Sequence, residues 1–205
     1  MMTVTNQPTL ADLAGLSNKN LVLIATAAIG TAFLPTWIGW MREVVPEINL
    51  RVVLTPRAGR FVGIDAVTAF ARQPITIDDW DDTNGEPRHV QLADWADCFL
   101  VHPATMDFVS RLSAGLCDSP TLLTLQGTDA PVVVAASCPP GFVDGDAWAG
   151  YVSSFAKRRN ITLLPPTVGV SISDLDRAGS PAELFPVALA TLARKLTAGA
   201  EGVSQ

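Results

Sequence analysis

Two histidines, three cysteines and a scatter of hydroxyl and acidic side chains are the groups in this 205-residue chain that could do chemistry. His89 and His102 carry imidazoles, which exchange protons near neutral pH. Cys98, Cys117 and Cys138 fall at spacings that make no short metal-binding pair, and two histidines cannot make up the deficit, so no metal site is expected. The chemistry is sought where such groups crowd together, in His89 to Ser119, HVQLADWADCFLVHPATMDFVSRLSAGLCDS. His89 opens this run and the apolar Cys98 to Val101 follow. His102-Pro103-Ala104-Thr105 then turns into a segment where Phe108, Val109, Leu112 and Leu116 recur at helical spacing. A strand that delivers a small-residue turn to a helix start leaves free N–H groups at the carboxyl edge of a parallel sheet, where polar and anionic ligands bind. Pro103 pre-sets a backbone angle, and Ala104 and Thr105 are small enough for a flat ring to approach the main chain.

Those groups need a sheet and flanking helices to hold them. Leu21 to Ala25, Leu50 to Leu54, Cys98 to Val101, Pro131 to Ala136 and Ile161 to Leu164 are near-continuous apolar runs, as strands buried on both faces require. Helices are expected from near Gly30, with Trp37, Ile38 and Met41 on the apolar face. Others are expected over Asp65 to Ala71, after Thr105 as far as Thr121 to Leu125, over Ala147 to Arg158, and over Pro181 to Leu196. Residues 1–19 read as a mobile lead-in in which Leu10, Leu13 and Leu16 could form one helical turn; residues 20–196 form a single domain, and 197–205 a frayed tail. Ile77 to Pro87 is acidic and turn-rich, which reads as a solvated loop, and the alternating ligands of a calcium loop are absent.

Composition narrows the function classes. At 48% hydrophobic and 17% charged, the chain can bury one sizeable core. A net charge of −6 argues against a nucleic-acid partner, which calls for a basic face. No basic segment precedes an apolar one near the start, so a cytoplasmic setting is expected. Leu21 to Met41 carries no charge and is long enough to span a bilayer, yet Gly30, Pro35 and Gly39 divide it, and a strand followed by a helix is the expected reading.

A resemblance sharpens this. His89-Val90-Gln91-Leu92-Ala93-Asp94-Trp95-Ala96-Asp97, followed by Pro103-Ala104-Thr105, resembles the "H-I-x-L-x-x-W-A-D … P-A-T/S-A-N-T" signature of the flavin-dependent cysteine decarboxylases. These include phosphopantothenoylcysteine decarboxylases and the peptidyl-cysteine decarboxylases of lantibiotic, linaridin and thioviridamide-like pathways. The likeness reaches most of the chain. It implies a doubly wound α/β fold, Rossmann-like or flavodoxin-like, with noncovalent FMN. It also implies a homo-oligomer, a trimer or a dodecamer of four trimers, with the flavin at a subunit contact that Trp37, Trp40 and Trp80 could anchor.

The resemblance also implies roles. Thr26, Ala27 and Ala28 stand at the family's T-G-S-I-A, which takes the flavin phosphate; main-chain donors survive the change, and Thr26 or Thr31 would replace the lost serine hydroxyl. Thr55 and Phe61, in Thr55-Pro56-Arg57-Ala58-Gly59-Arg60-Phe61-Val62, match "T-x-x-A-x-x-F-V" near the flavin. Arg57 and Arg60 either neutralise phosphate or are solvated surface charges. Pro103, Ala104, Thr105, Met106 and Ser137 fall on flavin-binding positions. Asp107, Cys138, Pro139 and Phe142 fall on the substrate side. Asp107 and Pro139 replace asparagines: an ionised aspartate repels a substrate carboxylate and proline donates nothing, so either Asp107 is protonated or the substrate is held differently. His89 aligns with the catalytic histidine, an acid/base; His102 matches no functional position and reads as packing.

By the same resemblance, the flavin oxidises the substrate's cysteine side chain to a thioaldehyde, which delocalises the electrons released with CO2 and leaves an enethiolate. Ser173 stands where the phosphopantothenoyl branch has a redox cysteine, so the product is expected to stop at the enethiol. The expected activity is therefore oxidative decarboxylation of the C-terminal cysteine of a precursor peptide, toward an S-aminovinyl-cysteine ring. The alternatives are a coenzyme A pathway decarboxylase and a flavin-binding accessory subunit without catalysis.

Overall fold

The apolar runs line up as one sheet. The computed structural model describes residues 8–80, 85–170 and 178–202. In it β1 (Asn20–Ala25), β2 (Asn49–Leu54), β3 (Thr76–Ile77), β4 (Cys98–Thr105), β5 (Val132–Ser137) and β6 (Ile161–Leu164) are all parallel, in the order β3-β2-β1-β4-β5-β6. The chain winds outward from β1 to β3, returns to β4 beside β1, and winds the other way. This is the doubly wound order, and its switch point lies between β1 and β4.

Alternation along the strands sorts side chains between two cores. Leu21, Leu23 and Ala25 of β1 join a cluster with Leu34, Ile38 and Met41 of α1 (Leu34–Val44), Val67 of α2 (Ile64–Ala71), and Phe185 and Leu189 of α7 (Phe185–Gly202). Val22 and Ile24 face the opposite cluster, with Leu92 of α3 (Arg88–Trp95), Phe108 and Val109 of α4 (Met106–Ser113), Leu122 of α5 (Pro120–Gly127), and Trp148 of α6 (Asp146–Ala156). Helices cover both faces, which is why the central strands read as unbroken apolar runs.

Several expectations are corrected. The expected turn at His102 to Thr105 is strand: β4 runs through a cis His102–Pro103 peptide and a register shift against β5 to Thr105. The long helix expected after Thr105 is two, because Gly115 takes φ +76° and Ser119 restarts the chain, its hydroxyl accepting the Leu122 N–H with Pro120 in the first turn. The lead-in is ordered by contacts from Leu10 on: a 3-10 helix, Leu10–Leu16, starts at a Thr9/Asp12 capping box and buries Leu13 and Leu16 in the first cluster. The helix expected to end by Leu196 continues to Gly202, through most of the expected tail. Leu21 to Met41 divides into β1, a 3-10 helix (Ile29–Phe33) and most of α1, and no helix among the described residues is long and apolar enough to cross a membrane. Ser173 lies outside the described residues. A two-stranded ribbon, β7 (Gly169–Val170) with β8 (Ala178–Gly179), continues into a bridge between Ser180 and Cys138 at the end of β5.

Candidate active site

At the carboxyl end of the switch point lies a crevice of about 490 Å³, within the range of roughly 300–1,000 Å³ typical of small-molecule sites. Thr26 and Ala27 line it from the end of β1, Thr55, Pro56 and Arg57 from the end of β2, and Thr105, Asp107, Phe108 and Arg111 from β4 and α4. The floor is tied together by Thr26. Its hydroxyl donates to the Pro103 carbonyl (2.7 Å) and accepts the Thr105 N–H (2.9 Å), locking the ends of β1 and β4 to each other.

That tie corrects one expectation. Thr26 is buried with its hydroxyl proton given to Pro103, and the Thr31 hydroxyl gives its own to the Thr26 carbonyl (2.6 Å). Neither is free to stand in for a lost phosphate-binding serine. Among the described residues, the Ala27 N–H has no acceptor, and Ala27 lines the crevice. The donor set is therefore the Ala27 amide, the Thr55 and Thr105 hydroxyls, and the Arg57 and Arg111 guanidinium groups. Thr105 accepts the Phe108 N–H (3.4 Å) as the N-cap of α4, which leaves its own proton to give. An amide and guanidiniums together with Pro56 and Phe108 suit a ligand that has both an anionic group and an apolar part.

Asp107 and Arg111 in the crevice are paired. The Asp107 side chain is 77% exposed and lies 3.4 Å from Arg111, whose other arm reaches Asp118 at 2.7 Å and holds that carboxyl below its usual range. A ligand thus meets an ion pair where the sequence suggested a lone carboxylate. Arg111, which sequence reasoning passed over, was signalled by its position four residues after Asp107 on a helix.

Other expected residues lie off the crevice wall. Ala104 and Pro103 are buried, Ala104 in the second cluster and Pro103 by its contact with Thr26, so neither offers an open face to a ring. Ala28 is 9% exposed and Met106 packs against the second cluster. Phe61 is 37% exposed beyond a short 3-10 helix, Ala58–Arg60. Ser137 ends β5 opposite Thr105. Cys138 donates its N–H to Ser180, and burial raises its thiol pKa. Pro139 is exposed, and Phe142 stacks on Tyr151 at 6.4 Å.

The two histidines lie in different settings. His102 is buried against Phe185 with Nε2 at 2.8 Å from the Glu183 carbonyl, and burial pulls its pKa down to about 4; it is a packing residue. His89 was expected between a loop and a strand, and it sits instead in the first turn of α3, half-buried. It does not line the crevice of its own chain. The Arg88 guanidinium fixes that helix start by bonding the Ile77 and Asp79 carbonyls, a tie that no hydrophobic period announces.

The profile of the family described as "Flavoprotein" matches residues 11–141, well over half of the chain. The chain belongs to the flavoprotein family. Within this family it is 36% identical over 178 residues to the cypemycin cysteine dehydrogenase (decarboxylating) of a Streptomyces species, covering 86% of this chain and 92% of that one. The crystal structure of the cypemycin decarboxylase CypD superposes with a TM-score of 0.72 at 32% identity, over 90% of this chain and 97% of CypD. The FMN-dependent cysteine decarboxylase SpaF shares the fold, with a TM-score of 0.73 at 21% identity over 89% and 99% of the two chains. A bifunctional coenzyme A biosynthesis protein of Bacillus subtilis is 31% identical over 150 residues, 73% of this chain but 34% of that protein.

Proposed function

We propose that this flavoprotein binds FMN in the crevice and oxidatively decarboxylates the C-terminal cysteine of a precursor peptide to an aminoenethiol. The observation that carries this reading is the similarity, along nearly the whole of both chains, to a cysteine dehydrogenase that decarboxylates. The crevice supports it by its place at the switch point and by its donor set.

Bound flavin would supply the two-electron oxidation without which loss of CO2 leaves an unstabilised carbanion. The chain's own residues do the rest. Arg57 and the Ala27 amide would hold the phosphate of the cofactor, Thr55 and Thr105 would offer it hydroxyl protons, and Phe108 and Pro56 would give apolar contact. His89 moves the substrate's proton at Nε2, because Nδ1 is buried and has no hydrogen-bond partner among the described residues. Since His89 stands off the crevice of its own chain, a second copy brings it there, and the working form is a homo-oligomer.

Gentle purification should give a yellow protein with flavin absorbance. Incubation with short peptides ending in cysteine should give a product lighter by CO2 and two hydrogens. A colourless protein, or one that leaves every such peptide unchanged, would overturn the reading.

A further inference from the structure

Catalytic histidines are commonly oriented by a hydrogen bond on the ring nitrogen that does not react, and that bond fixes which nitrogen works. Among the described residues His89 has none: its Nδ1 is buried and no donor or acceptor there meets it. The terminal torsion of a histidine is broad and close to two-fold, so nothing intrinsic to the side chain stops the ring from turning. Its direction has to come from packing.

The packing is supplied by the segment after β3, which the sequence reads as a solvated acidic loop. Three consecutive residues there reach separate parts of the His89 surroundings. Asp78 is 5% exposed and accepts both the Thr121 N–H (2.9 Å) and the Thr121 hydroxyl (2.5 Å), which fixes the first turn of α5. From that helix the Thr124 hydroxyl, which donates to the Pro120 carbonyl at 2.8 Å, lies 3.2 Å from the His89 carbonyl. Asp79 accepts from Arg88, the residue before His89, at 2.6 Å. Trp80 then lies edge-on to the imidazole, with ring centroids 6.1 Å apart and planes at 68°, and its own indole is pinned by donating Nε1–H to the Asp118 carbonyl (3.1 Å). The backbone of His89 is held by α5 and its ring by an indole that is itself tethered.

We propose that Trp80 is a positioning residue for His89, its tethered indole setting the ring direction that a hydrogen bond at Nδ1 sets elsewhere. The proposal rests on His89 as the group that moves the substrate's proton. Trp80 is 48% exposed, so its removal leaves both cores intact.

The test uses the flavin-loaded protein and a short peptide ending in cysteine, with Trp80→Ala, Trp80→Phe and His89→Asn. Trp80→Ala should lower kcat roughly 10- to 100-fold, the cost of a misdirected catalytic group, with KM and flavin content near wild type. Trp80→Phe keeps an aromatic edge without the N–H and should recover most of the loss. Ring-carbon relaxation of the two labelled histidines should show the His89 ring gaining motion in Trp80→Ala while His102 stays fixed. If Trp80→Ala does not fold, Trp80→Leu carries the same expectation. A Trp80→Ala enzyme with wild-type kcat beside an inactive His89→Asn would overturn the proposal alone, as would a Phe variant no better than the alanine one. A His89→Asn enzyme with wild-type turnover would overturn the role of His89 and the proposal with it.

Discussion

His102 and Cys98 show what burial does to a single ionisable side chain. The folded His102 has its pKa near 4, whereas an unfolded histidine titrates near 6.5. Between those values the unfolded chain binds a proton that the folded chain does not, so stability falls as pH drops through the window, by on the order of 3 kcal/mol at its end. Urea denaturation at pH 7 and pH 4.5 should show this loss, and a His102→Gln variant should lack that share of it. Burial pushes the Cys98 thiol up to about 12, with Asp97 adding to the effect, while Cys117 is exposed. A thiol reagent at pH 8 should mark Cys117 first and Cys98 only after unfolding, as peptide mass mapping would reveal. Asp107 lines the crevice. Asp107→Asn removes a negative charge from the crevice rim and should lower KM for the peptide severalfold with kcat little changed; a raised KM would mean that the Asp107–Arg111 pair is itself what the substrate recognises.

Among the elements, what could be read from the sequence depended on whether one physical signal dominated. Five of the six parallel strands were plain because burial on both faces leaves mostly apolar residues, whereas β3, two residues long, was read into the acidic loop; Thr55 was found by the family resemblance. The helix carrying His89 was not plain, since Leu92 is its one buried residue and no apolar stripe marks it; Arg88 and the contact with α5 make it a helix. Asp78 was equally hidden, an acid among acids, distinguished only by where Thr121 arrives in space. The 3-10 helix at Leu10–Leu16 did carry a signal, the Thr9/Asp12 box, but a short polar context outweighed it. Leu16 is fully buried against α7, so Leu16→Ala should cost about 2–5 kcal/mol in chemical denaturation. A loose leader would cost nothing.

At the scale of the whole molecule, the crevice and His89 are held by one sheet but do not meet within one chain. Two variants should therefore complement each other: His89→Asn, and Thr105→Arg to fill the crevice, each inactive alone. Oligomers that mix them should regain part of the turnover, because some crevices stay open and meet an intact histidine; no recovery in verified mixtures would place both functions in one copy. The first core cluster has a consequence for biosynthesis. Leu13 and Leu16 emerge from the ribosome well before Phe185, Leu189 and Ala193, with which they share that cluster. Gly15 lies so near the Ala193 carbonyl that an added methyl would sit 2.8 Å from it. One face of the sheet must therefore stay wet, and in need of shelter, until α7 has left the exit tunnel.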